Sequence, residues 1–195
     1  MAKVLVIDED DERRHIVCQG LQDAGHEVVA PRAPAVQLPR LVKDCAPDVI
    51  IVDTDSPDRD TLEHICIVTR DDPRPIVMFA ADGDREKIRE AVKAGVNAYI
   101  VNGLTGERIQ PILDVAIARF SEMQALREEL AATRAELEDR KVLDRAKALL
   151  MRSRGMTEPQ AYEALRKIAM DSSQRIADVA RQVITLRALI EPDSK

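Results

Sequence analysis

The sequence predicts an α/β domain built on a five-stranded, doubly wound parallel sheet, followed by a long helix and a C-terminal three-helix bundle. Three observations predict it. Short apolar runs such as Val4–Ile7 and Val49–Val52 alternate with helical patterns through the first 118 residues. Such alternation marks strands buried on both faces and joined by crossover helices. Between Glu107 and Arg154 the only helix breaker is Pro111. Beyond Gly155, apolar positions return at three and four, the period of a helix packed along one stripe.

The elements follow in order. Lys3–Ile7 reads as a strand ending in Asp8-Glu9-Asp10, and Glu12–Ala24 as a helix with Ile16, Val17, Leu21 and Ala24 apolar, stopped by Gly25. Glu27–Ala30 is a second strand. Residues 31–39 read as loop, and Leu41–Cys45 as a short helix closed before Pro47. Val49–Val52 is a third strand, ending at Asp53. A helix near Thr61–Arg70, a strand at Pro75–Phe79, a helix at Arg85–Ala94, a strand at Ala98–Val101 and a helix from about Glu107 complete five units. Pro111 is expected in the first turn of that last helix, where proline is tolerated.

Composition narrows the function classes. Aromatic residues are scarce (Phe79, Tyr99, Phe120, Tyr162), so the cores must be aliphatic. Cys18, Cys45 and Cys66 are isolated and odd in number, which argues against a disulfide framework or zinc site and for a reducing compartment. The first apolar run is cut off by Asp8 and Glu9, so no signal peptide is expected. Nor does any apolar run reach membrane-spanning length. A cytoplasmic, membrane-free protein is the expectation. The formal charge of −6 divides unevenly. Residues 1–117 hold 14 basic against 22 acidic side chains, and residues 141–190 hold 10 against 5. The basic end is the candidate nucleic-acid binder.

In open parallel sheets the functional site lies beyond the carboxyl ends of the strands. Asp8, Glu9 and Asp53 fall there, and converging carboxylates repel one another and suit a hard divalent cation such as Mg²⁺. This pattern resembles the flavodoxin-like receiver domain of two-component response regulators. The resemblance implies that Asp53 is the phospho-acceptor position, that Asp8 and Glu9 are the acidic pair, and that Tyr99 is the switch aromatic. Two positions depart from the pattern. Ala80 stands where receivers carry Thr or Ser, and Asn102-Gly103 stands where they carry Lys-Pro. A phosphoryl group at Asp53 would then lack one oxygen donor and one full positive charge. Asp55, Asp58 and Asp60 add further negative charge. These departures favour a receiver used to dock a protein over one switched by phosphorylation.

Along the long helix Met123, Leu130 and Leu137 recur at seven with Leu126 between them, flanked by charged residues. That is a short coiled-coil seam, made imperfect by Thr133 and Arg140. A second copy of the chain is its expected partner, the alternative being a fold-back onto the receiver. At 1.5 Å per residue, about 40 residues would form a rod of roughly 60 Å.

The C-terminal part reads Lys141–Met151 as a helix with Val142, Ala146, Leu149 and Leu150 on one side, and Gly155 as its stop. Thr157 opens the next helix with Gln160 three residues on, a capping box. Leu165, Ile168 and Ala169 are its packed side. Asp171-Ser172-Ser173 is expected to end it and to cap a last helix carrying Ile176, Val179, Ala180, Val183, Leu186 and Ile190. The set Ala146-Lys147-x-Leu149-Leu150-Met151, a glycine and capped turn, Glu158-x-x-Ala161-Tyr162, Leu165-Arg166 and Ala169-Met170 resembles the ANTAR domain, the RNA-binding module of AmiR/NasT-type antiterminators. Domain bounds of 1–118 (receiver-like), 119–140 (coiled-coil linker), 141–190 (ANTAR) and 191–195 (tail) follow.

RNA loops are read by stacking splayed bases on aromatics and guanidinium planes while Lys and Arg hold phosphates. Tyr162, with Arg166 one turn beyond, and Arg145, Lys147 and Arg152 are the candidate contacts, while Met151 and Met170 suit packing. A half-buried tyrosine with a wet hydroxyl is the plainer alternative for Tyr162. The family resemblance implies binding to paired hairpin loops of leader transcripts, with RNA polymerase affected only indirectly. Within the family, residues 53–57, 74–79, 98–101 and 110–116 are most similar to the nitrate-assimilation regulators called NasT. That likeness implies an inhibitory nitrate-sensing partner protein, with no cofactor required. Phosphorylation control of the same RNA output, and a DNA-binding or protein-interaction output, remain as alternatives. No nucleophile–base pairing or phosphate-cradling glycine loop points to an enzyme.

Overall fold

The structure, a computed structural model, describes residues 1–31, 35–101 and 106–190. Strands β1 (Lys3–Ile7), β2 (Glu27–Val29), β3 (Val49–Thr54), β4 (Ile76–Ala80) and β5 (Ala98–Val101) form one parallel sheet in the order β2-β1-β3-β4-β5. Helices α1 (Asp11–Asp23), α2 (Leu38–Cys45), α3 (Arg59–Asp71) and α4 (Arg85–Ala94) connect them. A 49-residue helix, α5 (Gly106–Arg154), leads to α6 (Glu158–Ser172) and α7 (Ile176–Ile190). The chain divides into two compact units, 1–124 and 125–195.

Alternation along the strands sends successive side chains to opposite faces of the sheet. Leu5, Ile7, Ile50, Val52, Ile76 and Met78 pack with Leu38, Val42, Ile65 and Val68 of α2 and α3 and with Ala91 and Ala94 of α4. Val4, Val6, Val49, Ile51, Val77 and Phe79 pack with Val17 and Leu21 of α1 and with Ile109, Leu113 and Ala116 of α5. Burying each large aliphatic side chain contributes roughly 1.5–3 kcal/mol, which holds both layers without aromatic help.

Capping explains much of the acidity near the strand ends. Asp10 accepts from the backbone N–H of Glu12 and Arg13, Asp58 from Thr61, and Asp84 from Glu86 and Lys87. Asp58 is thus committed to the start of α3, and its hydrogen bonds from Thr61 hold its carboxyl below the usual range.

Several boundaries differ from the sequence reading. Helix α2 begins at Leu38, because Pro39 fits its first turn. Strand β3 runs on through Asp53 and Thr54, which pair with Phe79 and Ala80. Pro111 lies inside α5 rather than in its first turn. Asp171 and Ser172 belong to α6, Ser173 ends it in the left-handed region (φ 54°), and α7 starts only at Ile176. The Arg175 carbonyl, accepting from Val179 N–H at 3.2 Å, opens α7 in place of the expected Asp-Ser-Ser cap.

Unit 125–195 has its own small core. Ala146 of α5, Leu165 and Ala169 of α6, and Val179 and Ala180 of α7 are buried together, with Val142, Leu150, Ile176 and Val183 around them. Ile168 and Leu186, expected on the packed side, are exposed. The stripe is narrow because Ala161 and Ala169 flank Leu165, so a residue one step off it faces water. Residues 191–195, expected as a tail, lie outside the described residues.

Candidate functional site

At the carboxyl edge of the sheet a cleft of about 490 Å³ is lined by Asp8, Glu9, Asp10, Arg13, Asp53 and Asp55, among others. Ile7 pairs with Val52 in the ladder, so Asp8 and Asp53 emerge side by side from β1 and β3. This is where the strand order reverses, the switch point of a doubly wound sheet. Asp8 is fully buried, and its Oδ1 accepts from Asp10 N–H at 2.8 Å. Burial pushes the Asp8 carboxyl upward, against the pull of that hydrogen bond and of Arg13. Asp53 is pushed up to about 6, first by burial and then by the charge of Asp8. Glu9 is exposed at the rim.

Among the described residues the cation of this cleft is Arg13, which the sequence reading missed. Its Nη2 lies 3.3 Å from Asp8 Oδ1, its Nε 3.9 Å from Asp53 Oδ1, and its Nη1 hydrogen-bonds Asp55 Oδ1. These carboxylates, Asp55 foremost, raise the guanidinium further above its ordinary range. The only signal in the sequence is an arginine in the first turn of a helix that Asp10 starts beside Asp8.

Ala80 is nearly buried opposite Thr54 and offers no hydroxyl. Tyr99 Oη donates to the Asp82 carbonyl oxygen at 2.8 Å, so the aromatic expected at a switch position is tied to the β4–α4 loop. Lys87, on α4, donates to Asp82 Oδ2 at 2.7 Å and Ser56 Oγ at 2.6 Å, and this bond draws the Asp82 carboxyl down to about 2. Ser56, Asp82 and Lys87 were not singled out from sequence. Asn102, the other departure from the receiver pattern, lies outside the described residues.

The carboxylates have the hard oxygen chemistry that Mg²⁺ takes, and Asp8 Oδ2 is buried without a hydrogen-bond partner. No three acidic or histidine side chains converge as a ready cage among the described residues. Arg13 stands among them instead.

In unit 125–195 the candidate contacts divide. Tyr162 is 43% exposed, and Arg166 and Met170 follow it at four-residue steps along the exposed face of α6. Arg166 reaches Glu163 only at 3.5 Å. Arg145 is exposed, with no side-chain ion pair among the described residues. Arg152 donates from Nε to the Ala148 carbonyl oxygen. Lys147 differs from the rest. Its side chain is only 15% exposed, and its ammonium sits 2.8 Å from both Asp144 Oδ1 and Glu158 Oε1. Those carboxylates, Asp144 first, raise its pKa. Lys147 therefore ties α5 to the first turn of α6, and any phosphate must compete with two carboxylates for it.

The seam residues Met123, Leu126, Leu130 and Leu137 are all exposed on α5. Among the described residues no helix is long and apolar enough to cross a membrane.

Comparison with known proteins agrees with this division. The response regulator receiver domain model matches residues 4–114, and the ANTAR domain model matches residues 131–184. The transcriptional regulatory protein PdtaR of Mycobacterium tuberculosis is 30% identical over 185 residues, covering 93% of this chain and 90% of that protein. The nitrate regulatory protein of Klebsiella oxytoca is 47% identical over 78 residues, which is 40% of this chain and 20% of that one. Among solved structures, chemotaxis response regulator CheY4 of Vibrio cholerae superposes with a TM-score of 0.53 at 28% identity, over 60% of this chain and 98% of that one.

Proposed function

Because this chain belongs to the response regulators that join a receiver domain to an ANTAR domain, a class that includes antiterminators, we propose that it binds hairpin loops of leader transcripts and lets polymerase read through. Nitrate and nitrite assimilation genes are the proposed targets, on the strength of the likeness to the nitrate regulatory protein. The observation that carries the reading is the ANTAR match over helices whose outer face offers Tyr162 and Arg166 to solvent. Tyr162 would take a splayed base, and Arg166, Arg145, Arg152 and Lys147 the adjoining phosphates. A homodimer joined along Met123, Leu126, Leu130 and Leu137 would hold two hairpins at once.

The receiver is proposed to act as a docking module for a sequestering, nitrate-sensing protein. Ala80 supplies no hydroxyl to a phosphoryl oxygen, and the cleft's guanidinium is already engaged with carboxylates. A second reading rests on Asp53 itself, which lies at the cleft beside Asp8 in the place of a phospho-acceptor. Under it, a small phospho-donor with Mg²⁺ would raise dimerisation in the unsubstituted chain and not in Asp53→Asn.

The deciding experiment titrates the purified chain, free of any inhibitor, against a two-hairpin leader RNA and duplex DNA at low salt. Preference for the RNA is expected. Equal binding to duplex DNA would favour a different output. Undiminished RNA binding by a Lys147→Ala, Tyr162→Ala, Arg166→Ala variant would remove the proposed face.

A further inference from the structure

The cleft holds its cation incompletely. Arg13 approaches Asp8 through Oδ1 only, leaving Asp8 Oδ2 buried and without a hydrogen-bond partner, and Arg13 Nε, 3.9 Å from Asp53 Oδ1, is likewise buried without a hydrogen bond. A planar guanidinium offers its donors in one fixed fork. Mg²⁺ is bound by one or two carboxylate oxygens and fills the rest of its octahedron with water, so it could take the oxygen that Arg13 leaves. The guanidinium nonetheless spans Asp8 and Asp53, the position any ion shared by those two carboxylates must occupy. Among the described residues it is the one cation in ion-pair range of either.

Its far end has somewhere to go. Asp55, which receives Arg13 Nη1, has a side chain 83% exposed at the rim, while Arg13 itself is partly exposed. The backbone N–H of Arg13 is fixed by the Asp10 cap, so the motion available is that of the side chain. Counting Asp8, Asp53 and Asp55 as ionised, the set with Arg13 carries a net charge of about −2, which one divalent ion would neutralise.

We propose that Arg13 is a tethered cation competing with a hard divalent ion for the Asp8–Asp53 pair, with Asp55 as the post to which the displaced guanidinium retreats. The cleft then has two states, one latched by the protein's own arginine and one loaded with metal. The receiver's dependence on divalent ion is set by this residue.

Calorimetric titration of the full chain with MgCl₂ at fixed ionic strength tests it. Arg13→Gln is expected to bind Mg²⁺ at least tenfold tighter than the unsubstituted chain, and Asp8→Asn added to it is expected to abolish binding. Equal or weaker binding by Arg13→Gln, or no binding by either protein, overturns the competition. Binding that survives Asp8→Asn overturns the site. Should Arg13→Gln fail to fold, Arg13→Lys keeps the charge and stem but loses the fork, and should bind at least threefold tighter; unchanged affinity then counts against the proposal. In the unsubstituted chain the Arg13 Nε–H resonance should move along the Mg²⁺ isotherm, and a stationary resonance during binding would also overturn it.

Discussion

Lys147 Nζ donates to Glu158 Oε1 at 2.8 Å, and Glu158 stands one helical turn before Tyr162 on α6. An acidic side chain one turn before the proposed stacking tyrosine thus occupies the Lys147 ammonium. Glu158→Gln keeps the shape and a hydrogen bond but removes the charge. It is expected to strengthen hairpin binding a few-fold at low salt and to steepen the dependence of log K on log salt by roughly 0.7–0.9, the release of about one counterion. Fluorescence anisotropy across a KCl series checks it. An unchanged slope would mean that Lys147 serves the α5–α6 junction and not the RNA.

The Asp53 carboxyl offers a second test through pH. Its folded pKa of about 6 exceeds the ordinary carboxylate value of 3.8, so the native state binds more protons than the unfolded chain between those values. The stability that its protonated form permits is therefore lost as pH rises from about 4 through 6, and the full penalty persists above. Asp53→Asn removes that penalty. Relative to the unsubstituted chain, it should gain roughly 2 kcal/mol more at pH 7.5 than at pH 4.5. Urea unfolding at the two pH values measures the difference. A gain independent of pH would show that Arg13 offsets the upward push of burial and Asp8 on this carboxyl.

The sheet was legible because each buried strand is a continuous apolar run bounded by turn residues. Helix α4 (Arg85–Ala94), capped by Asp84 and ended by Gly95, and strand β5 (Ala98–Val101), an unbroken run, fall at their expected bounds. Local capping was harder to read. Asp171-Ser172-Ser173 has the composition of an N-cap, yet the backbone of Ser173 turns left-handed and Arg175 opens α7. Asp8 and Asp53 could be placed at the strand ends from pattern alone. Arg13 could not be joined to them, since its bond to Asp55 crosses 42 positions of sequence and depends on how α1 lies over the strand ends. The same holds for Lys147, whose charge counted toward a basic surface until Asp144 and Glu158 were seen beside it.

Leu165 is the one large aliphatic side chain without exposure in unit 125–195 among the described residues. Alanines make up most of the rest of that buried core, so little else can close a gap there. Leu165→Ala should cost about 2–5 kcal/mol. Hydrogen exchange should accelerate in α6 and α7 while the amides of β1, β3 and β4 keep their protection, and hairpin binding should be lost with it. Equal acceleration in both units would mean that they unfold as one.

The seam on α5 poses the last test. Leu126 is 65% exposed, and Met123, Leu130 and Leu137 are also open to solvent, at intervals of three, four and seven. Thr133, between them, bonds its hydroxyl back to the Glu129 carbonyl oxygen at 2.9 Å, which removes its polar group from a facing helix. Each leucine taken out of water by a second copy contributes up to roughly 1.5–3 kcal/mol, enough in combination to offset the entropy of association only if several pack at once. Replacing Leu130 and Leu137 together by Lys removes two such contacts and sets like charges against each other across the seam. Sedimentation is expected to show a dimer for the unsubstituted chain at micromolar concentration and a monomer for the variant. Affinity for a two-hairpin RNA should fall at least tenfold in the variant while affinity for a single hairpin stays put, because only simultaneous engagement depends on the second copy. A parent chain that sediments as a monomer, or a variant that keeps its two-hairpin affinity, would leave one bundle reading both loops unaided.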